Sequence, residues 1–205
     1  SAAGGVGLAA VDICLKLGAR TSGTVSSQFK ADFLANRTGL PADQICIRPK
    51  RSRDLPQAFS QVLGPSGEAD ICLDGIGGSC FRASLDLLST GGRIVHFGGA
   101  TYAAPGDTPQ WANIIPKWIR RPRVDPGSLV SRSRGVVGFN LIFLTDRTVQ
   151  LNRELDGLLG LELPRRPHIG KVFDFDDAPD ALRYLQGGTS VGKILLKLPK
   201  VGIHQ

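Results

Sequence analysis

A glycine-rich loop opens the chain and leads directly into an apolar run with the length of a helix. The loop consists of Ser1, Ala2, Ala3, Gly4, Gly5, Val6 and Gly7. The first turn of a helix carries N–H groups without an intrahelical partner, and the helix dipole makes that end positive. A loop of this kind therefore predicts an anion site, most simply for the pyrophosphate of a dinucleotide.

The glycine spacing is consistent with a dinucleotide site but also with a tight turn. Gly4 and Gly7 match the second and third glycines of the dinucleotide fingerprint, and Ala2 stands where the first would be. Gly4 would let a phosphate approach the backbone, and Gly7 would let the helix pack on a sheet. A tight structural turn is the alternative interpretation. In the helix, Asp12 and Lys16 are spaced i, i+4, which predicts one solvent-exposed face.

Beyond the loop, short apolar strands alternate with helices. Strands are predicted at 20–25, 44–47, 69–73, 93–97, 135–141, 168–175 and 192–198. Helices are predicted between them, at 27–39, 55–63, 81–88, 111–115 and 145–159 and from Asp177 onward. The alternation predicts an α/β fold, a Rossmann-type doubly wound parallel sheet. Ligands bind at the carboxyl edge of such sheets, where Ser26–Ser27, Gly75–Gly78 and Gly98–Gly99 would lie.

Two parts are predicted along the chain. Residues 1–147 would form the Rossmann domain, and residues 148–205 a C-terminal strand-helix-strand return segment. A Rossmann sheet needs a central strand directly before the glycine loop, so this first strand is expected to be missing from the sequence. The helix at 145–159 is predicted to turn an apolar set inward, namely Val149, Leu151, Leu155, Leu158 and Leu159.

The end of the second predicted strand discriminates between dinucleotides. An NAD-selective fold places Asp or Glu about 20 residues past the glycine loop, where it holds the ribose 2′-hydroxyl. Thr24, Ser26 and Ser27 occupy this place, and Lys30 follows one turn later. Hydroxyls and an ammonium suit a 2′-phosphate, which a carboxylate would repel, so NADP(H) is favoured over NAD(H). In the alternative interpretation, the serines only cap a helix and Lys30 is solvated.

Composition narrows the function classes. The 205 residues carry a net charge of +7, concentrated in two short, proline-interrupted basic runs at 48–53 and 117–123. No nucleic-acid module surrounds these runs, so a solvated surface or an anionic cofactor explains them better than nucleic acid does. No apolar run is long enough to span a membrane.

The cysteines and histidines predict no metal site. Cys14, Cys46, Cys72 and Cys80 form no C-x-x-C pair and are expected to be reduced thiols of a cytoplasmic protein. His96 lies in a predicted strand and is expected to be a packed core histidine. The remaining histidines are scattered along the chain, at His168 and His204.

Several motifs together resemble the medium-chain dehydrogenase/reductase family. Ala2–Gly7 is similar to the family's loop, and further similarities lie at Ala69–Gly78, Leu87–Val95 and Ser190–Leu196. The resemblance points to the branch of zinc-independent quinone oxidoreductases. Within it, Arg121–Pro126 and Gly138–Leu141 resemble the vesicle-amine-transport-protein-like group. The resemblance covers essentially the whole chain.

This resemblance implies an NADPH-dependent reductase that delivers hydride to a quinone or to the C=C bond of an enone. Carried over by position, the pyrophosphate would contact Ala3, Gly4, Gly5, Val6 and Gly7. The 2′-phosphate would contact Ser26, Ser27 and Lys30. The ribose edge would be lined by Gly77, Gly98 and Gly99, and the nicotinamide end by Phe139 and Asn140. Lys193 would close the site, and no catalytic side chain is assigned.

The resemblance also sets limits and leaves alternatives open. Family members carry an N-terminal catalytic domain that this sequence lacks, so weak or no activity is expected from the chain alone. A homodimer is implied, because the strand at 135–141 often pairs across a two-fold axis in the family. An enoyl-thioester reductase part and a non-catalytic NADPH-binding or scaffold module are the alternatives. A methyltransferase is disfavoured, because it would not explain the glycine clusters after the later strands.

Overall fold

The computed structural model describes residues 1–103, 108 and 110–199 of an α/β chain. Its strands β1 to β7 are Gly23–Val25, Ile45–Ile47, Ala69–Asp74, Leu88–His96, Gly135–Gly138, Ile169–Asp174 and Lys193–Lys197. Its helices α1 to α8 are Gly5–Lys16, Gln28–Thr38, Leu55–Val62, Gly78–Asp86, Trp111–Ile119, Pro126–Val130, Thr148–Leu159 and Ala178–Gln186. Among the described residues, no helix combines the length and apolar character needed to cross a bilayer.

Every strand pair in the described chain is parallel. β1 pairs with β2, β3 with β4 and β4 with β5, while β6 and β7 form a separate pair. Because parallel strands need crossover connections, this pairing follows from the alternation of strands and helices in the sequence. The predicted Rossmann-type α/β fold is confirmed.

The start of the chain lies between β1 and β3, which no described strand joins. The Ala2 N–H donates to the Thr24 carbonyl on β1 (2.9 Å). On the other side, the backbone nitrogen of Ser1 lies near the Asp74 carboxylate at the end of β3. The glycine loop therefore starts between the two sheets.

The core is assembled under the helices that cover β1 to β4. Its largest fully buried side chains are Val25, Leu34, Leu40, Leu88 and Ile94. One cluster joins α1, α2 and β1, a second joins β2, α3 and α4, and a third joins α4 to β4. Because these clusters pack the helices against the strands, they hold in place the strand ends at which the candidate site lies.

Several predicted element bounds differ from the structure: β1 begins at Gly23, β4 begins at Leu88 and α5 extends to Ile119. The helix predicted at 81–88 begins at Gly78 and ends at Asp86, because Leu88 already pairs with Ala69 and starts β4. The strand predicted at 135–141 ends at Gly138. Asn140 then caps a short 3-10 helix with its side-chain oxygen, which accepts from the Ile142 N–H (3.2 Å).

The predicted inward face of α7 is wrong as well. Val149 is 77% exposed, and of the predicted set only Leu151 is half-buried. The pattern does predict the helix, which forms from Thr148 to Leu159. No described element covers its apolar side, so amphipathic periodicity here predicts the element but not a partner within the chain.

The C-terminal segment packs back onto the first two helices. Asp12, predicted to mark a solvent-exposed face with Lys16, is instead buried, and its carboxylate pairs with the Arg165 guanidinium (2.7 Å). Lys16 is exposed as predicted. The Gly192 N–H donates to the Ala3 carbonyl (2.8 Å), which brings β7 to the glycine loop.

Candidate cofactor site

The glycine loop ends in a helix N-terminus that no side chain caps. Gly4 is the N-cap of α1 in an extended conformation, and no side-chain hydrogen bond satisfies the first turn. The N–H groups of Gly5, Val6 and Gly7 therefore have no intrahelical partner and point outward. Such an end binds an anion readily, because the helix dipole adds to the unpaired donors.

The loop glycines differ in the space around them. A Cβ at Gly7 would contact the Ser1 carbonyl oxygen and would lie 2.7 Å from the Ala2 Cα, so α1 needs glycine there to pack against the chain start. A Cβ at Gly4 would meet no atom nearer than 3.8 Å. The space above Gly4 is open to a phosphate. At Gly5, a Cβ would lie 2.6 Å from the Lys193 stem, which covers the loop from the C-terminal strand.

Two serines lie where β1 ends. Ser26 is exposed, and Ser27 caps α2 with its hydroxyl, which accepts from the Lys30 N–H (3.4 Å). The capping alternative for Ser27 is therefore real. It leaves the hydroxyl of Ser26 and the second lone pair and proton of Ser27 available to a ligand.

Lys30 is not the solvated residue of the alternative interpretation. It is 7% exposed, and its ammonium donates to the Gly188 carbonyl (2.6 Å). Burial lowers the pKa of Lys30, and the nearby Arg48 guanidinium lowers it further. One of the three ammonium protons is used by Gly188, so the residue joins the C-terminal segment to the candidate site.

Arg48 is the residue that sequence reasoning missed. It follows β2 directly, its backbone N–H donates to the Val25 carbonyl (2.9 Å), and its guanidinium donates to the Thr24 hydroxyl (3.2 Å). Burial lowers its pKa. Its position after a strand parallel to β1 was the available signal, because parallel strands end at the same sheet edge.

The remaining predicted residues lie at the ends of β3, β4 and β5. Gly77 has a φ of 77°, which favours glycine, and a Cβ there would lie 3.7 Å from the Gly98 carbonyl oxygen. Gly99 is exposed at the start of the next 3-10 turn. A cleft of about 560 Å³ is lined by His96, Phe97, Gly98, Gly138, Phe139, Asn140, Phe143 and Leu144. The fold thus brings both residues of the predicted nicotinamide end to one cleft with Gly98.

The expectation for His96 is wrong. Its side chain is 39% exposed, and its Nδ1 lies 2.8 Å from the Asp74 carboxylate, which is buried. The residue is last in β4, where the strand leaves the core, so its ring reaches the sheet edge instead of the interior.

The thiols and histidines of the described chain show no metal site. The cysteines are free, and burial raises the pKa of Cys46, Cys72 and Cys80. No group of three or more His, Cys, Asp or Glu side chains among the described residues is placed to hold a metal ion. His204 lies outside the described residues.

A sequence model of a zinc-binding dehydrogenase domain matches residues 42–196. The chain belongs to this family. The predicted membership of the medium-chain dehydrogenase/reductase family is thereby confirmed. The synaptic vesicle membrane protein VAT-1 homolog of Danio rerio is 28% identical over 198 residues, which are 95% of this chain and 39% of that protein.

Solved structures of the dehydrogenase family share the fold. The quinone oxidoreductase of Thermus thermophilus, solved alone and with NADPH, gives a TM-score of 0.68 at 27% identity, over 96% of this chain and 56% of that one. The CurK enoyl reductase gives a TM-score of 0.65 at 25% identity, over 97% of this chain and 53% of that one. The chain therefore spans about half the length of the proteins it matches, or less.

Proposed function

We propose that the chain is the nucleotide-binding part of an NADPH-dependent oxidoreductase that reduces a quinone or the C=C bond of an enone. One observation carries this proposal. Lys30, in the first turn of α2, is buried, and Arg48, directly after β2, is half-buried; no carboxylate of the described residues pairs with either. Like charges repel in a partly buried site, and a 2′-phosphate between them would relieve that repulsion.

The rest of the edge fits the same dinucleotide. The uncapped first turn of α1 and the open space over Gly4 suit the pyrophosphate. The likeness to the T. thermophilus quinone oxidoreductase, which was solved with NADPH, supports this choice of cofactor. We also propose that Gly77, Gly98 and Gly99 line the ribose edge and that Lys193 closes the loop.

The cleft would position the reaction. NADPH supplies a hydride from its nicotinamide ring. Phe139 and Asn140 would hold that ring, because both line the cleft beside Gly98. The half-buried apolar side chains of Phe97 and Leu144 would exclude water from the acceptor. Within this proposal, residues 148–205 act as a return segment whose Arg165 and Gly192 bind the nucleotide part.

Calorimetry with the Arg48→Ala variant tests the cofactor. We expect the wild-type chain to bind NADPH more tightly than NADH. Loss of one charge-assisted contact should weaken NADPH by about 10- to 100-fold and leave NADH nearly unchanged. Lys50→Ala is the matched control, because Lys50 is an exposed cation two residues away. An equal loss for both dinucleotides in Arg48→Ala would contradict the 2′-phosphate role.

Substitutions of Lys30 and Ser26 also test the proposed 2′-phosphate site. Lys30→Ala should weaken NADPH more than NADH, and its melting temperature reports any loss caused by the broken bond to Gly188. Ser26→Asp should shift the preference toward NADH, because the carboxylate repels the 2′-phosphate and can hold a 2′-hydroxyl. An unchanged ratio of affinities in Ser26→Asp would count against the proposal.

An enoyl-thioester reductase is the second candidate, favoured by the likeness to the CurK enoyl reductase. The two candidates differ in the acceptor, so turnover of a simple enone against its thioester counterpart distinguishes them. We further propose a homodimer and a cytoplasmic location. The free cysteines support the location, because cytosolic thiols remain reduced.

A further inference from the structure

The side chains of Asp74 and His96 form a hydrogen-bonded pair at the ends of two neighbouring strands. The Asp74 carboxylate is 5% exposed and accepts the N–H groups of Ile76 (3.0 Å) and Gly77 (3.1 Å). Its second oxygen lies 2.8 Å from the His96 Nδ1. The backbone donors fix the carboxylate, and the carboxylate in turn fixes one nitrogen of the ring.

This arrangement determines which ring nitrogen of His96 can exchange a proton with a ligand. A carboxylate at Nδ1 holds a proton there, so the other ring nitrogen, Nε2, is left to exchange its proton. No hydrogen bond to Nε2 is made by the described residues. The edge-on packing of Phe81 against the ring, with centroids 5.3 Å apart, restrains its tilt.

The ring lies at the cleft where the acceptor would bind. His96 lines the cleft together with Phe97, Gly98, Phe139 and Asn140. Its side chain is 39% exposed, so water can return a proton to it after each turnover. Other titratable groups face the pair through Asp74, namely the Cys72 and Cys80 thiols.

We propose that His96 is the proton donor of the reduction, with Asp74 as its positioning residue; this inference rests on the proposed function. Addition of the cofactor's hydride to the β-carbon of an enone breaks the C=C π bond and leaves an enolate. The Nε2–H bond of the His96 imidazolium then breaks, and its proton forms the C–H bond at the α-carbon. Two electrons pass from NADPH to the enone, and neutral His96 regains a proton from water.

The test, carried out in the whole protein of which this chain is the nucleotide-binding part, is the reduction of 2-methylcyclohex-2-enone by NADPH in D₂O, with the wild type, His96→Gln and the control His168→Gln. A positioned acid delivers the solvent deuteron to one face of the α-carbon. We expect one enantiomer from the wild type and the control. His96→Gln should be about 10²- to 10⁴-fold slower and should give a racemic product, with NADPH affinity unchanged.

Different results would overturn different steps. A His96→Gln variant that keeps both rate and enantiomer would overturn this inference alone. A wild type that binds no NADPH would overturn the proposed function and the inference with it. A readout without turnover is the ring Hε1 signal of His96, assigned by its loss in His96→Gln. It should shift when NADPH is added, and an unmoved signal would overturn the assignment.

Asp74→Asn tests the positioning role. The amide keeps an oxygen for the backbone donors of Ile76 and Gly77 but cannot accept from Nδ1 with its nitrogen. Nitrogen-15 spectra should show the loss of the Nδ1–H tautomer, and turnover should fall while KM stays within twofold. If the tautomer is retained and turnover is unchanged, Asp74 only shapes the turn.

Discussion

Three glycines of one loop differ in what surrounds them. Gly7 gives the chain start room to cross α1, Gly5 gives room to the Lys193 stem, and Gly4 faces open space. Spacing alone predicts a dinucleotide loop, because the fingerprint specifies where side chains are forbidden. It cannot predict that Gly5 faces a lysine from the last strand, since that contact depends on how the chain returns.

Substitution of the loop glycines should separate stability from cofactor affinity. In Gly7→Ala the new Cβ meets backbone atoms of Ser1 and Ala2 that cannot move aside. The free energy of unfolding should therefore fall by about 1–3 kcal/mol. In Gly4→Ala, stability should be kept and NADPH affinity lost, because the Cβ enters only the open space. Thermal unfolding and calorimetry measure the two effects, and destabilisation in Gly4→Ala would contradict the open-space interpretation.

Lys30 and Arg48 show what residue types can and cannot reveal. The missing acid after β1 and the position of Lys30 predict a phosphate-binding lysine. Arg48 belongs to a basic run, and nothing in the run marks its first member as half-buried at the sheet edge. Only the parallel register of β1 and β2, with Val25 opposite Ile47, brings it to the same edge.

At the scale of elements, an ion pair ties the return segment to the first helix. The Arg165 guanidinium binds the Asp12 carboxylate with one nitrogen and donates to the Thr38 carbonyl with another (3.0 Å). It thereby joins α1 to the last turn of α2. The i, i+4 spacing of Asp12 and Lys16 suggests a local pair, but burial of Asp12 makes the distant arginine its partner.

Removal of Arg165 should therefore destabilise the chain. The Asp12 side chain is 8% exposed, so Arg165→Ala leaves a buried carboxylate unpaired, at a cost of about 2–4 kcal/mol. Arg82→Ala is the control, because its pair with Asp86 is exposed and should contribute less than about 1 kcal/mol. Urea unfolding compares the variants, and equal losses would show that the Arg165 pair is energetically a surface pair.

Helix α7 marks the limit of periodicity as a guide. Its apolar positions recur at helical spacing and predict a helix at 145–159, which the structure places at 148–159. The same spacing predicts an inward face, yet Val149 and Leu159 are 77% and 68% exposed. A hydrophobic stripe on a helix predicts that this face is covered, but it does not predict which molecule covers it.

At the scale of the whole molecule, several of the most exposed apolar side chains follow β5. Ile142, Phe143 and Val149 are each more than 70% exposed, in contrast to the closed core beneath α1 to α4. Alternation of strands and helices suffices to predict that core and its parallel sheet. It cannot assign partners to surfaces whose contacts lie outside the described residues.

This surface should mediate self-association of the chain. We expect sedimentation to report a dimer, and a double variant Ile142→Lys, Val149→Lys to dissociate at least about tenfold more readily, because each lysine would have to be desolvated. Phe29→Lys is the control, since Phe29 is 63% exposed on α2, away from these residues in the sequence. Equal dissociation in the control would indicate nonspecific apolar association.

The hydrogen bond between Gly192 and Ala3 also has a consequence for the order of folding. The glycine loop precedes its partners on and beside β7 by most of the described sequence. Contacts of such large sequence separation form late, because the intervening chain must first be ordered. A nascent chain on the ribosome would thus carry a helix and two strands long before it carried a finished nucleotide loop. NADPH would act as a reporter of completed folding, not as a template for it.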